Sequence, residues 1–294
     1  MSFKTTASIA NFGGQLAKLT HQSSVLNCEM RVNVFFPPGI NSDSSKKFPV
    51  LFYLSGLTCT PDNCTEKGFF QAHAAKHGIV LVYPDTSPRG TDLPGEHDAY
   101  DFGSGAGFYV NATKDPWNKH YKMYDYIVDE LPKALFDSYK QLDSERVSIT
   151  GHSMGGHGAL TLFLKNPGKY KSVSAFAPIC NPVNCPWGEK AFKGYFGEEE
   201  RQGKWLEHDA TELIKKYDGP TPSILIDVGT GDNFYTGKQL LPENFMEAVK
   251  QSAYKDKVDL RFQEGYDHSY FFMATFAKDH VEHAAKYLNG QSRL

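Results

Sequence analysis

The spacing of hydrophobic positions changes several times along this chain, and each change marks an element. Met30-Arg31-Val32-Asn33-Val34-Phe35-Phe36 alternates before Pro37-Pro38-Gly39, which predicts strands forming a hairpin edge in the first stretch. A polar turn is expected over 41–47 and a buried apolar strand over 50–54. A helix from about 66 to 77 carries Ala72, Ala74 and Ala75 and stops at Gly78, and 79–83 supplies another apolar strand before Pro84. That alternation is the β-α-β rhythm of a parallel sheet. From 85 to 117 the chain is rich in Gly, Pro and Asp and follows neither period, so it reads as a long excursion suited to an active-site wall. A helix between 121 and 142 is expected to adjust at Pro132, which has no amide to donate. Strands at 147–150, 172–176, 224–228 and 258–262 then alternate with helices at 154–165, 240–253 and 271–288, around a second irregular region at 178–203. Without a linker, repeat or low-complexity tract, 1–294 reads as one α/β domain.

Composition narrows the function classes. The chain is 40% hydrophobic and 22% charged, which excludes overall disorder. Its 31 basic and 34 acidic residues leave a charge of −3, so no nucleic-acid or membrane partner is expected from electrostatics. No apolar run approaches the roughly 18 residues of a membrane span. The first 13 residues also lack the basic-then-apolar order of a secretion signal. Five cysteines, an odd and sparse set, point to free thiols in a reducing compartment, hence a cytoplasmic protein.

The chemistry centres on Gly151-His152-Ser153-Met154-Gly155, a G-x-S-x-G pattern lying between an expected strand and an expected helix. That context is required of a nucleophile elbow, in which small neighbours let a strained serine project above the sheet. Ser153 is therefore the candidate nucleophile. A serine needs a base, and the base needs an acid to fix its tautomer, in the chain order Ser, Asp, His. Asp232 follows the 224–228 strand within Gly229-Thr230-Gly231-Asp232-Asn233 and is the candidate acid; Asp227, inside the strand, is its competitor. His268 follows the 258–262 strand on Gly265-Tyr266-Asp267-His268-Ser269 and is the candidate base. The backbone amides of Met154, at the elbow, and Leu57, after the 50–54 strand, are the candidate oxyanion donors. Cys59 is read as a pocket-lining thiol. His73, His77, His280 and His283 read as helical residues without a catalytic part, and His152 and His157 lie too close to the elbow for a triad. Neither the cysteine spacings nor His280-Val281-Glu282-His283 matches a zinc motif, and no dinucleotide fingerprint is present, so no metal or cofactor is expected.

Longer stretches carry a more specific resemblance. Phe52-Tyr53-Leu54-Ser55-Gly56-Leu57-Thr58-Cys59-Thr60, Pro84-Asp85-Thr86-Ser87-Pro88-Arg89-Gly90, Asp101-Phe102-Gly103, the elbow through Leu160, Ser174 to Ile179 with Pro186-Trp187-Gly188, and Gly265 to Tyr270 resemble the S-formylglutathione hydrolase (esterase D) family of the α/β-hydrolase superfamily. The resemblance covers nearly the whole chain. It implies a three-layer α/β-hydrolase fold with a mostly parallel central sheet, and hydrolysis of S-formylglutathione to formate and glutathione through a formyl-serine intermediate. That reaction is a step in formaldehyde detoxification; a broad small-acyl carboxylesterase is the alternative. The same roles fall on Ser153, Asp232, His268, Leu57 and Met154, and a homodimer is implied. Cys59 is expected to confer sensitivity to thiol reagents, and Trp187 to shape the acyl and thiol site. Tyr100 departs from the family's usual tryptophan. Lys67, Arg89 and Lys190 are weighed as partners for the glutathione moiety, against solvated surface charge as the plainer reading.

Overall fold

The computed structural model describes residues 2–43 and 45–290. Met1, Ser44 and 291–294, which fall within the expected single domain and, for Ser44, the expected polar turn, lie outside the described residues. Three antiparallel strands, β1 (Lys4–Asn11), β2 (Gly14–Ser23) and β3 (Cys28–Phe36), open the chain. Six more follow: β4 (Phe48–Leu54), β5 (Val80–Pro84), β6 (Leu142–His152), β7 (Val173–Phe176), β8 (Ile224–Gly229) and β9 (Val258–Gln263). They form one sheet in the order β1-β2-β3-β5-β4-β6-β7-β8-β9, parallel from β5 onward, with β3 pairing antiparallel to β5. The expected fold class is the observed one. Every residue of β4, β5, β7 and β8 is buried, as a parallel strand covered on both faces requires, which is why these strands read as unbroken apolar runs.

The helices are α1 (Pro61–Lys67), α2 (Phe70–His77), α3 (Met123–Asp125), α4 (Leu131–Ser138), α5 (Met154–Lys165), α6 (Pro186–Tyr195), α7 (Ala210–Ile214), α8 (Asn233–Thr236), α9 (Pro242–Val249) and α10 (Tyr270–Leu288). α10 packs on α1 and α2, and α5 packs on α7, which in turn meets α9. The helix expected at 66–77 is two: Thr60 caps the first through a capping box, and Phe69 at φ 56° breaks the run before the second. The stretch at 121–142 does adjust before Pro132. There the Leu131 N–H reaches back to Tyr126 O, a wide π-type turn, and α4 ends at Ser138. Residues 139–141 then form a turn, and of that stretch only Leu142 belongs to β6, where it sits beside Phe48 of β4.

Sheet order reverses at β4, which has β5 on one side and β6 on the other. A crevice outside the carboxyl ends of β4 and β6 is where such a sheet offers a binding site. Both Leu57 and Ser153 lie there, a few residues past those strand ends.

Candidate active site

Ser153 sits between β6 and α5 with φ 59° and ψ −117°, backbone angles that side chains other than glycine rarely adopt. The turn is tied down on both sides: its N–H donates to Phe176 O at 2.9 Å, and its carbonyl accepts from His157 N at 2.9 Å. Two glycines make the reversal possible. A Cβ on Gly151 would lie 2.2 Å from Gly155 O, and one on Gly155 would lie 2.0 Å from Leu54 O, so the elbow is packed backbone against backbone. Met154 begins α5, where first-turn amides have no partner within the helix.

Asp232 follows β8 and is fully buried. One oxygen caps α8 by accepting from Phe234 N at 2.7 Å and Tyr235 N at 3.3 Å; the other meets His268 Nδ1 at 2.5 Å. The cap and the ring bond thus use different oxygens, which fixes the carboxylate's orientation. A carboxylate accepts, so Nδ1 donates, and Nε2 is left as the basic nitrogen. The His268 ring is held between Phe234 (centroids 4.8 Å, edge-on) and His152 (4.4 Å).

Ser153 and His268 open on one cavity of 270 Å³, lined also by Gly56, Leu57, Thr58, Cys59, Tyr100, His152, Trp187, Phe234 and Tyr270. A larger hollow of 750 Å³, between the β1–β2 turn and Tyr139, holds none of the candidate residues. Residues 56–59 form a reverse turn closed by Cys59 N–H to Gly56 O at 3.3 Å. That closure leaves the Leu57 amide, at the turn's second position, unused by the turn. Cys59 lies 3.8 Å through Sγ from Tyr270 OH, and burial pushes its thiol up, away from the thiolate a nucleophile needs. Trp187 donates its indole N–H to Tyr100 OH at 3.0 Å, closing one rim. Among the described residues, no group of three His, Cys, Asp or Glu side chains could hold a metal ion. No described helix is long and apolar enough to cross a membrane.

The esterase family described as "Putative esterase" matches residues 23–283. The S-formylglutathione hydrolase of Rattus norvegicus is 54% identical over 289 residues, 98% of this chain and 100% of the relative. That of Saccharomyces cerevisiae is 48% identical, covering 94% of this chain and 96% of its own. A solved S-formylglutathione hydrolase structure from Agrobacterium tumefaciens superposes with a TM-score of 0.90 at 42% identity, covering 98% of this chain and 100% of the other. The chain belongs to the S-formylglutathione hydrolase family. A Staphylococcus aureus fluorophosphonate-binding serine hydrolase, at 19% identity and a TM-score of 0.71, shares the fold.

In this S-formylglutathione hydrolase family member, Asp227 does not reach the cavity. It is buried in β8, where it accepts from Arg261 Nε (2.8 Å), Arg261 Nη2 (2.5 Å), Gln263 Nε2 (2.8 Å) and His280 Nε2 (2.8 Å). His280, read from sequence as a plain helical residue, thereby ties α10 to β8. Two of the three cations weighed for glutathione are committed within the protein. Lys190 pairs with Asp101, and Arg89 turns inward to Asp85. Lys67 ends α1 outside the cavity lining. Sequence reasoning set aside His152 and passed over Phe234 and Tyr270, which line the cavity. Their signal was position, since Phe234 and Tyr270 each stand two residues beyond Asp232 or His268.

Proposed function

We propose that this protein hydrolyses S-formylglutathione to formate and glutathione, with Ser153 as nucleophile, His268 as general base and Asp232 as the acid that fixes the base's tautomer. The observation carrying this is the 2.5 Å Asp232–His268 bond behind a cavity that Ser153 and His268 share. His268 Nε2 takes the Ser153 proton, and Oγ attacks the formyl carbon. The Leu57 and Met154 amides receive the oxyanion, and the C–S bond breaks to release glutathione thiolate. His268 gives up that proton, to the departing thiolate or to solvent, and then deprotonates a water that cleaves the formyl ester; formate leaves and the proton returns to Ser153 Oγ. A thiol with an ordinary pKa near 8.5 leaves without much protonation, so the histidine works mainly as a base.

The cavity's 270 Å³ lies below the usual range for a drug-sized ligand, about 300–1,000 Å³. It suits the formyl group and the sulfur while the tripeptide stays outside, past the Tyr100–Trp187 rim. The lining also has an apolar side, Leu57, Trp187 and Phe234, which favours small aryl esters as a second substrate class. All five cysteines are free thiols, in keeping with a reducing, cytoplasmic setting, and a homodimer is proposed on the family resemblance alone.

The test is steady-state hydrolysis of S-formylglutathione beside a small aryl acetate by wild type and Ser153→Ala. The expected result is a much higher kcat/KM for the thioester, abolished by the substitution. A preference for the aryl ester would make the enzyme a general small-acyl esterase, and an active Ser153→Ala protein would overturn the serine mechanism.

A further inference from the structure

The 85–117 excursion does more than wall the cavity. It grips the loop carrying Leu57 at two points, and one grip is a charged side chain that never reaches the cavity lining. Thr58, the third residue of the 56–59 turn, sits at φ 68°. For a β-branched side chain that conformation is strained, and it persists only where surrounding bonds hold it. The first grip is on the turn's Thr58 N–H, which donates to Gly105 O at 2.9 Å. Gly105 is itself anchored by its N–H to Ser87 Oγ at 2.7 Å, and a Cβ on it would stand 3.0 Å from Thr58 Cα. The second grip is on the Cys59 carbonyl, which accepts from Thr86 Oγ1 at 2.6 Å and Arg89 Nη2 at 3.0 Å. Arg89 is in turn fixed by Asp85 Oδ1, at 3.2 Å from Nε and 2.7 Å from Nη2, while Nη1 reaches Ser104 Oγ at 3.4 Å. Asp85 is 1% exposed and also faces Arg31 Nη2 at 3.5 Å.

We propose that Arg89 is a positioning residue for the oxyanion site: bound to Asp85, it holds the Cys59 carbonyl and thereby keeps the strained 56–59 turn aiming the Leu57 amide into the cavity. The inference rests on the reading of Leu57 as an oxyanion donor. A guanidinium suits the task because one planar group can bond a carboxylate and a backbone carbonyl at once, which an ammonium on a flexible stem does less well. The same commitment turns the charge away from a substrate carboxylate.

Arg89→Ala and Arg89→Lys test this, measured with S-formylglutathione for kcat and KM, with glutathione as a competitive inhibitor, and with a small fluorophosphonate for the rate of Ser153 phosphonylation. Loss of a whole oxyanion donor costs about 100- to 1,000-fold, so misaiming one predicts a fall in kcat of about 10- to 100-fold with KM and glutathione inhibition nearly unchanged. Phosphonylation falls in parallel, since it develops the same kind of oxyanion. Added guanidinium at millimolar concentration restores part of the Arg89→Ala rate. Thr86→Val, which removes the other donor to the same carbonyl, gives a smaller parallel loss, and it carries the test if Arg89→Ala fails to fold. Arg31→Ala, which touches Asp85 but not the carbonyl, keeps its kcat. A raised KM and weakened glutathione inhibition at constant kcat would make Arg89 a substrate-binding residue and overturn the proposal. So would unchanged kinetics in Arg89→Ala, or in Thr86→Val where that variant carries the test. Ser153→Ala run alongside separates the two readings: if it is inactive while Arg89→Ala is normal, only the positioning role fails; if it is active, the serine mechanism fails too.

Discussion

Two aspartates of one strand-loop unit should respond to the same substitution in opposite ways. In Asp232→Asn the side-chain oxygen can keep the α8 cap while the amide faces His268 Nδ1, where the carboxylate oxygen stood at 2.5 Å. An amide donates, so Nδ1 must become the unprotonated nitrogen and the proton moves to Nε2, which then cannot accept from Ser153. A wrong tautomer of this kind costs about 10⁴-fold in kcat in a serine protease, which at 1.36 kcal/mol per decade is about 5 kcal/mol of barrier. Fold stability should change little. Asp227→Asn instead strikes a carboxylate that is fully buried and bonded to Arg261, Gln263 and His280. Breaking a buried charge pair costs about 3–5 kcal/mol. Arg261 keeps Asp279 at 2.8 Å and is 29% exposed, which brings the expected loss to about 2–3 kcal/mol. At about 2–4 °C per kcal/mol, Tm falls by roughly 5–10 °C. The assay is calorimetric unfolding beside thioester hydrolysis at 25 °C. An Asp227→Asn protein that is folded but inactive, or an Asp232→Asn protein keeping a tenth or more of wild-type kcat, would refute the assignment of roles.

Three further outcomes are expected. Gly155→Ala, which sets a methyl 2.0 Å from Leu54 O and 2.6 Å from Ser55 O, should displace the elbow and lower kcat/KM by about 100-fold or abolish soluble expression; normal kinetics would show that the turn tolerates the shift. In acid, burial works against the Asp227 charge, but bonds from His280 and Arg261 hold its carboxyl down to about 2; this depressed value adds stability above the unfolded carboxylate value near 4 that is lost as pH falls toward 2. His280, lowered by burial, adds to the same loss below its ordinary value, so the urea midpoint should drop steadily from pH 6 to 3 in wild type and less steeply below pH 4 in Asp227→Asn. Because burial raises the Cys59 thiol, inactivation by iodoacetamide should keep accelerating above the ordinary thiol range, and Cys59→Ala should resist the reagent while retaining most of its turnover.

The elements legible in the sequence are those whose local pattern and tertiary surroundings agree. β4, β5 and β8 are buried on both faces, so their apolar runs have no competing reading. The elbow announces itself because backbone contact near 2 Å leaves only glycine at Gly151 and Gly155. Elsewhere the determinants are distant. Asp143-Ser144-Glu145-Arg146 of β6 is polar and bulges between the Leu142–Phe48 and Val147–Val50 pairs, so only those flanking pairs make it part of a strand. α6 lay hidden behind Pro186 and several glycines, although its buried positions Trp187, Ala191, Phe192 and Tyr195 keep a helical spacing. The full inward turn of Arg89 could not be read either, since its local partner Asp85 is joined by the Cys59 carbonyl only once the 85–117 excursion folds back over β4's loop.

His152 completes the account of the cavity. Its two ring nitrogens are buried without hydrogen-bond partners among the described residues, and burial, with His268 as the second cause, holds its imidazole well below the ordinary histidine value. In the proposed mechanism each turnover would place a positive charge on His268, whose ring centroid is 4.4 Å from that of His152. Were both rings cationic, their repulsion at that range would be about 4 kcal/mol at an effective dielectric of 20, enough to slow proton uptake about a thousandfold. Kept neutral, His152 would act as electrostatic insulation, letting the transient charge on the proposed base be answered by Asp232 without an opponent on its other face.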